Sequence, residues 1–261
     1  MTEGNRFTEE LRLLFRLARL ERAARSRRTL LGRSWAVLLP LLEAGVFTLV
    51  FGLLLKVRGT GSAYLSFAYV GIYVWRVFAR GLTVAASAPD RYGLVLHTFT
   101  LPARVPVGAS VGSALLEGLL GFPLLLAVVF AVEGLPEAPM LALWLPIGMG
   151  IQLGITYGLG LLLAAANSFY RDVGIVLAPA LTVLMFAAPV VYPASLVPET
   201  LRIPFLANPI STAIECYRAA ILGTEAPPAP ALATALLLVA IALSLAWVLT
   251  AHLDSRMREL L

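Results

Sequence analysis

The chain has 261 residues, of which 59% are hydrophobic and only 13% are charged, and its mean hydropathy is +0.87. Ordinary soluble domains carry about 25% charged residues. This composition therefore excludes a soluble enzyme, a disordered chain and a disulfide scaffold, and it indicates a polytopic helical membrane protein. The net charge of +5 reflects arginine, since Lys56 is the single lysine among 20 basic residues. In a chain this apolar, arginines mark cytoplasmic flanks more often than nucleic-acid contacts.

The residue inventory argues against catalysis within this chain. A P-loop ends in Gly-Lys-Ser/Thr, whereas Lys56 is followed by Val57, so the sequence has no such ATPase site. Cys216 is the single cysteine and cannot form an internal disulfide. His97 and His252 stand far apart, and no Cys/His cluster has the spacing of a metal site. We therefore predict a protein that is not an enzyme, with no catalytic residue, no metal and no cofactor of its own.

The first 33 residues are polar and rich in arginine, and they lack the apolar core of a signal peptide. At about 100° per residue, Arg12, Arg16 and Arg19 share one face of a helix, and apolar side chains share another. Residues 1–33 are therefore predicted to form a basic amphipathic helix at the cytoplasmic headgroup layer. The alternative is a solvated helix that packs on a partner protein.

Six apolar stretches follow, each near the roughly 20 residues that a bilayer core requires. They lie at 34–55, 63–86, 107–132, 141–166, 174–191 and 229–251. We therefore predict an all-α membrane protein with a six-span permease domain over residues 34–261. If the N-terminus is cytoplasmic, 14 of the 20 basic residues fall on the inner side and four on the outer side. This bias predicts that both termini lie in the cytoplasm.

The segment 192–228, between the fifth and sixth spans, is rich in proline and only half apolar. Asn208-Pro209 is typical of a helix cap, here leading into a helix over 213–222 that Gly223 can end. We predict two short re-entrant helices that dip into the membrane and return. Irregular backbone at that depth has to be buried against protein or line an aqueous path.

Four charged residues fall inside predicted spans: Glu43 in the first, Arg76 and Arg80 in the second, and Glu117 in the third. A charge at the bilayer centre costs about 2.5–3.5 kcal/mol even on insertion scales, so such groups pair or face water. Arg76 and Arg80 are four residues apart and share a helix face. The four residues are predicted to pair, either as a network that sets helix register or as a polar strip along a substrate path. Proton coupling is a third possibility, although no histidine lies in a span.

The second span is also rich in aromatic residues, among them Tyr69, Tyr73, Trp75 and Phe78. Most such side chains are core or interface anchors. A stripe of them along a channel is the alternative, since sugar rings stack on aromatic faces.

Four stretches, in order, carry a resemblance to a known family. They are Arg28-Thr-Leu-Leu-Gly-Arg-Ser-Trp, Asn167-Ser-Phe-Tyr-Arg-Asp-Val, Ala188-Pro-Val-Val-Tyr-Pro and Asn208-Pro-Ile-Ser-Thr-Ala-Ile-Glu. With six spans and an amphipathic N-terminal helix, the chain from about Arg25 to Arg258 resembles the type-2 ABC exporter permeases. It is most similar to the subfamily that exports O-antigen, capsule and teichoic-acid polymers.

The resemblance implies the transmembrane subunit of an ATP-driven exporter that moves a lipid-linked polysaccharide across the bacterial cytoplasmic (inner) membrane. Two copies would form a homodimer and bind two copies of a separate ATP-binding cassette subunit, which would hold ATP and Mg²⁺. The partners would thus be that ATPase, a lipid-linked glycan and membrane lipid, with no nucleic acid.

Four groups of site residues follow: three are implied by the resemblance, and the fourth, the channel candidates, comes from the charged and aromatic residues of the first two spans. Those for substrate uptake and pyrophosphate binding are Arg27, Arg28, Leu31, Gly32 and Arg33, although anchoring to anionic lipid explains these arginines equally well. Those for ATPase coupling are Leu94, Leu96, His97, Phe99, Pro102, Arg171 and Asp172, with a short coupling helix over 94–102. Channel candidates are Glu43, Tyr69, Tyr73, Trp75, Arg76, Phe78 and Arg80. The exit region contains Tyr192, Pro193, Asn208, Pro209 and Glu215.

The chain departs from the family pattern in two places. His97 and Thr98 replace the usual basic pair before the coupling proline, and Val74 replaces the proline before Trp75. The residue after Trp75 is Arg76, which indicates either a more anionic substrate or an ion pair with Glu43 that is particular to this chain.

Alternative functions are a type-2 exporter of a drug, antibiotic or lipid, a proton-coupled secondary transporter, and an intramembrane lipid-modifying enzyme.

Overall fold

A computed structural model of the protein describes residues 35–50, 62–99, 102–135, 137–193, 196–198, 205 and 208–260. These residues form α-helices and no β-strand. The helices are α1 (Trp35–Phe47), α2 (Ser62–Ala86), α3 (Ala88–Phe99), α4 (Arg104–Glu133), α5 (Ala138–Phe169), α6 (Asp172–Ala187), α7 (Pro209–Leu222) and α8 (Ala229–Leu260). The predicted interfacial helix over 1–33 lies outside the described residues.

Among the described residues, three helices are long and apolar enough to cross a membrane, and they coincide with the predicted third, fourth and sixth spans. Their apolar stretches are Arg104–Glu133, Pro139–Phe169 and Ala229–Ala251. Helix α2 has 25 residues and matches the predicted second span, but Arg76 and Arg80 make it less apolar. The fold is therefore an all-helical membrane architecture with several apolar helices.

The predicted first and fifth spans appear as shorter helices. Helix α1 has 13 residues and continues into a π-helical turn over 48–50, and the rest of the predicted first span lies outside the described residues. Helix α6 ends at Ala187, four residues before the predicted end at 191. The reason is Pro189, because a residue that precedes proline is driven out of the helical region. Ala188 accordingly has φ −113° and ψ 146°.

The connection after α2 also differs from the prediction. We expected a short helix over 94–102, whereas α3 runs over Ala88–Phe99 and starts six residues earlier. Pro89 and Asp90 explain the earlier start. Proline is tolerated in the first turn of a helix, and a carboxylate there interacts favourably with the helix dipole.

Helix α2 lies at the centre of the bundle, where α1, α4, α5 and α7 all pack on it. Buried hydrogen bonds reinforce this packing. The amide of Gln152 on α5 donates to the backbone oxygen of Val74 at 3.0 Å and accepts from the hydroxyl of Tyr217 on α7 at 2.7 Å. One side chain thus joins α2, α5 and α7, and each of its polar groups is paired, as an apolar interior requires.

Close contacts of α5 depend on glycine. A Cβ at Gly154 would lie 2.5 Å from Val239 Cγ1, and one at Gly158 would lie 3.0 Å from Ala242 Cβ and 3.1 Å from the backbone of α8. Small residues spaced four apart let two membrane helices approach closely. The seam between α5 and α8 is therefore tight at position 158, where a side chain requires the backbone of α8 to shift.

Helix α7 has the predicted caps. The side chain of Asn208 accepts a hydrogen bond from the backbone N–H of Ile210 at 3.2 Å, Pro209 occupies the first turn, and Gly223 is left-handed with φ 65°. The helix starts four residues earlier than 213, at Pro209. Nearly all of its side chains are buried, so α7 is an interior helix of the bundle.

The outer surface of the bundle is apolar on α6 and α8. Large hydrophobic side chains are exposed there, including Ile175, Val183, Phe186, Leu237 and Trp247. Leu177 and Leu181 are the buried residues of α6. A surface of this kind is suited to lipid or to a second protein rather than to water.

The α5–α8 seam yields a testable prediction with a matched control. Gly158→Leu forces a side chain into the backbone of α8, and overpacking of this kind costs about 1–3 kcal/mol. Gly150 on the same helix has nothing within 4 Å of a Cβ, so Gly150→Leu removes an unfavourable helix residue at no steric cost and gains up to about 1 kcal/mol. Thermal unfolding in mild detergent measures both variants. Equal melting temperatures for the two would contradict this packing.

Candidate functional site

Helix α2 carries the predicted pair of arginines, and both have the predicted partners. The guanidinium of Arg76 donates to Glu43 on α1, and Nε of Arg80 donates to Glu117 on α4 at 2.6 Å. The pairing predicted from the sequence is confirmed for all four residues. Two ion pairs therefore tie α2 to its neighbours on one face.

These ion pairs are only partly buried. The side chain of Arg80 is 48% exposed and that of Glu43 is 45% exposed, whereas Glu117 is only 18% exposed. The pairs form a polar strip on the surface made by α1, α2 and α4. Because each arginine has its own carboxylate, the strip has no net charge.

The aromatic channel candidates occupy a different place. Tyr69, Tyr73, Trp75 and Phe78 are each at most 6% exposed and belong to the core of the bundle. The hydroxyl of Tyr73 donates to the backbone oxygen of Gly118 on α4, and the rings of Trp75 and Phe78 lie 5.4 Å apart. Their surroundings favour core packing, the first of the two interpretations that the sequence allowed.

The predicted coupling residues come from two segments that the structure brings to the same end of the bundle. Helix α3 contains Leu94, Leu96, His97 and Phe99, whose side chains lie outside the described part of the chain, and Pro102 follows it. Arg171 is the N-cap of α6 and Asp172 its first residue, and both are exposed.

Asn167 connects these two segments, and sequence reasoning assigned it no role. Its motif starts one residue after the predicted end of the fourth span at 166, but α5 continues to Phe169, so Asn167 is helical. Its amide contacts the end of α2, the first turn of α3 and the first turn of α6. A cavity of about 510 Å³ adjoins it, lined by Ser87, Asp90, Asn167, Arg171, Gly174 and Ile175.

The predicted exit residues lie in and before α7. The hydroxyl of Tyr192 donates to the backbone oxygen of Phe186 at 2.6 Å, and Pro193 follows it. Asn208 and Pro209 form the start of α7, as described above. Glu215 pairs with Arg218 at 3.1 Å, so its carboxylate balances a charge within the same helix.

Arg218 is the second residue that sequence reasoning missed, since it was counted only for orientation. Its guanidinium is completely buried and donates to the backbone oxygens of Pro189 at 2.8 Å, Val190 at 2.6 Å and Phe67 at 3.3 Å. It also lies 3.4 Å from the centre of the Phe67 ring, a cation–π contact. A Cβ at Gly71 would be 2.7 Å from this guanidinium. The signal available in the sequence was a Glu–Arg pair at i and i+3 in an otherwise apolar helix.

The residues predicted for substrate uptake are not among those that the structure describes. Arg27, Arg28, Leu31, Gly32 and Arg33 lie outside the described residues.

Comparison with known proteins identifies the family of the chain. The sequence pattern of the ABC-2 type transporter family matches residues 12–222, which is most of the chain. The chain belongs to the ABC-2 type transporter family. It is therefore a membrane transport component, and the resemblance to type-2 ABC exporter permeases is confirmed. Membership in this family implies an ABC transporter that works with an ATP-binding partner.

Three relatives share one description. The O-antigen export system permease protein RfbA of Myxococcus xanthus is 30% identical over 249 residues, which cover 95% of this chain and 93% of that protein. Two proteins of Klebsiella pneumoniae with the same description are each 23% identical, over 195 and 194 residues, and each alignment covers 74% of both chains.

Arg218 yields a prediction about stability. Arg218→Met leaves Glu215 and three backbone oxygens without their partner, and removing one member of a buried pair costs about 3–5 kcal/mol. Arg218→Lys keeps the charge but cannot reach the same set of oxygens, so it should be intermediate. The exposed Arg171→Met is the control and should change stability by about 0.5 kcal/mol or less. Thermal unfolding in detergent ranks the three, and equal values for Arg218→Met and Arg171→Met would refute this role.

Proposed function

We propose that the protein is the transmembrane subunit of an ATP-driven exporter that moves a lipid-linked polysaccharide across the cytoplasmic membrane of a bacterium. The observation that carries this proposal is the 30% identity to the Myxococcus xanthus O-antigen permease over 95% of the chain. That alignment also covers 93% of the relative, so the likeness extends over both proteins rather than over one shared segment.

The proposed architecture has the interfacial helix over 1–33 and six spans over 34–261, with both termini in the cytoplasm. Helix α7 is a re-entrant element in this scheme. Its 14 residues extend only about 21 Å, which is less than the roughly 30 Å of a bilayer core. Its burial within the bundle supports an element that enters the membrane against protein and returns.

The proposed energy source is a separate subunit. The sequence has no P-loop, so ATP and Mg²⁺ have to be held by a partner. We place two copies of that ATPase against α3 and the α5–α6 turn of a permease homodimer. The exposed Arg171 and Asp172 support this surface, because a charged side chain on it can pair with charges on a partner.

The proposed substrate path runs along the strip formed by Glu43, Arg76, Arg80 and Glu117. The strip faces away from the core, on the surface of α1, α2 and α4, where a second copy can complete a channel. Since each arginine is paired, the strip offers polar groups without net charge. It therefore suits a polyhydroxylated polymer of low charge better than a strongly anionic one.

The residues that lie outside the described part keep their predicted roles within this proposal. Arg27, Arg28 and Arg33 would bind the pyrophosphate of the lipid carrier by charge-assisted hydrogen bonds, next to the Leu31-Gly32 turn. Among the described residues, Tyr192, Pro193 and Asn208 would border the exit.

A second candidate is an ABC-2 exporter of a drug, antibiotic or lipid. The observation that favours it is the burial of the α2 aromatic residues, which removes them as a stacking surface for sugar rings. The family itself does not distinguish the two cargoes. The relatives favour the polysaccharide.

Purification tests the proposal directly. The tagged protein, extracted from its native membrane in mild detergent, should co-purify with an ATP-binding subunit at a two-to-two stoichiometry, measured by native mass spectrometry. Deleting its gene should abolish surface polysaccharide while the lipid-linked polymer accumulates inside. If the deletion instead stops export of a drug, antibiotic or lipid and leaves surface polysaccharide normal, the second candidate is supported. Transport by the protein alone in liposomes with a proton gradient would reject both.

Charge reversal tests the path. Arg80→Glu brings two carboxylates together and should lower export at least about tenfold, because juxtaposed like charges cost several kcal/mol. The swap Arg80→Glu with Glu117→Arg restores a neutral pair and should recover most of the export. Matched changes at Arg76 and Glu43 serve as a second series. If the swap exports no better than Arg80→Glu, the arginine itself contacts an anionic substrate and the neutral path is wrong.

A further inference from the structure

We propose that Asn167 is a positioning residue that joins the two ATPase-facing segments, α3 and the start of α6, so that they move together. This inference rests on the proposed function, because it concerns how the motion of the ATPase reaches the membrane helices. It assigns a role to a residue that neither binds ATP nor touches the substrate path.

The amide of Asn167 contacts three other helices at once. Nδ2 donates to the backbone oxygen of Ala86, the last residue of α2, and to Oδ2 of Asp90 in the first turn of α3, both at 3.2 Å. Oδ1 accepts from the backbone N–H of Gly174 in the first turn of α6 at 2.9 Å. The side chain is only 6% exposed. Four helices therefore meet at one buried amide.

Asparagine is suited to this position for a chemical reason. An amide has two donor hydrogens and an acceptor oxygen, whereas a carboxylate only accepts. The groups that it meets at Ala86 and Gly174 belong to helix ends, where backbone donors and acceptors lack regular partners within the helix. The Gly174 N–H also reaches the backbone oxygen of Arg171 at 3.2 Å, so the amide adds a second, shorter bond to it.

The fit around the amide depends on Gly174. A Cβ at this residue would lie 2.9 Å from Oδ1 of Asn167, closer than real Cβ atoms come to their neighbours. Glycine therefore allows the backbone of α6 to approach the amide. The contact is a tight one, and a displacement of α6 has to displace Asn167 as well.

The rest of α3 is fixed to the bundle by a second contact. The guanidinium of Arg91 donates to the backbone oxygen of Val84 on α2 and to Oγ of Ser110 on α4, the latter at 3.3 Å. Helix α3 is thus held from α2, α4 and α5. Of the two side chains that make these contacts, Asn167 and Arg91, only Asn167 is also seen to bond to α6 in the described part of the chain.

The adjoining cavity leaves the outer side of this junction accessible. Asp90 and Arg171 are exposed at its rim, and the buried Asn167 lies behind them. A partner that presses on the rim acts on α3 and on the α5–α6 turn, and the amide transmits the displacement between them. Such a coupling is typically worth a factor of about 5 to 150 in an equilibrium.

Asn167→Asp tests the inference with almost no change in shape. It keeps the acceptor for Gly174, loses both donated bonds and places a carboxylate next to Asp90. In the purified permease–ATPase complex in liposomes, polymer exported per ATP hydrolysed should fall at least about fivefold, while ATP turnover stays within about twofold of the wild type. Complex assembly should be unchanged.

The double variant Asn167→Asp with Asp90→Asn tests the specific bond. The amide introduced at position 90 can donate to the carboxylate introduced at position 167, which reverses the direction of the hydrogen bond and removes the like charges. The amount of polymer exported per ATP hydrolysed should recover to within about threefold of the wild type. Recovery is incomplete because the bond to Asp90 is only one of the three that the amide makes. Asp90→Asn alone keeps an acceptor oxygen for Nδ2 of Asn167, so it measures separately what loss of the carboxylate at the rim does. Ser168→Ala is the neighbouring control, since the Ser168 hydroxyl bonds to Ala164 within α5.

Several outcomes would overturn the inference. A normal export ratio in Asn167→Asp would do so, and so would an equal loss of ATP turnover and export, which indicates a merely structural residue. If Asn167→Asp fails to assemble, Gly174→Ala replaces it, since it displaces the amide without changing its chemistry. A normal ratio in Gly174→Ala would then reject the positioning role. If the wild-type complex neither binds an ATPase nor exports polymer, the proposed function itself fails, and the wild-type measurement shows this separately.

Discussion

The buried guanidinium of Arg218 is the interaction on which the arrangement of the helices depends most. It joins α7 to the segment that follows α6, through the backbone oxygens of Pro189 and Val190, and to α2 through Phe67. Tyr64 adds a bond from the start of α2 to the backbone oxygen of Val191 at 2.7 Å. Backbone that turns inside an apolar bundle has no water to bind, so a side chain has to satisfy its oxygens. Arginine can do this because its donors form a planar fork.

The same constraint explains the opposite end of α2. There the carbonyl of Ala86 is satisfied by the amide of Asn167, which also reaches α3 and α6. Phe67 and Ala86 are 19 residues apart, or about 28 Å along the helix. A buried polar side chain from another helix therefore contacts the backbone of α2 near each of its ends, and the ion pairs of Arg76 and Arg80 lie between them. In the proposed exporter, α2 would combine a rigid element that carries force with the polar surface that guides the cargo.

Much of this could be predicted from the sequence because it depends on local chemistry. The class of protein follows from hydropathy, and the spans of α4, α5 and α8 follow from the length of apolar runs. The caps of α7 follow from Asn208-Pro209 and Gly223, whose preferences are set within a few residues. The pairing of Arg76 and Arg80 with Glu43 and Glu117 also followed, because an unpaired charge in a span is too costly to be left alone. Errors arose at helix ends, where Pro89 and Pro189 moved the boundaries of α3 and α6 by four to six residues.

The sequence by itself thus determined the membrane class, the transport family and the charged residues that have to pair. Only the tertiary structure decided where the aromatic residues of α2 point and which polar residues hold the bundle together. An aromatic-rich segment has the same composition whether its side chains line a channel or fill a core. Packing from α4, α5 and α7 places Tyr69 and Trp75 in the core. Asn167 and Arg218 are single polar residues, and most of their partners are backbone oxygens at least 28 residues away in the chain. The exceptions are the backbone N–H of Gly174 and the side chains of Asp90 and Glu215. A backbone oxygen leaves no trace in the sequence, so contacts of this kind are visible only once the helices have been brought together.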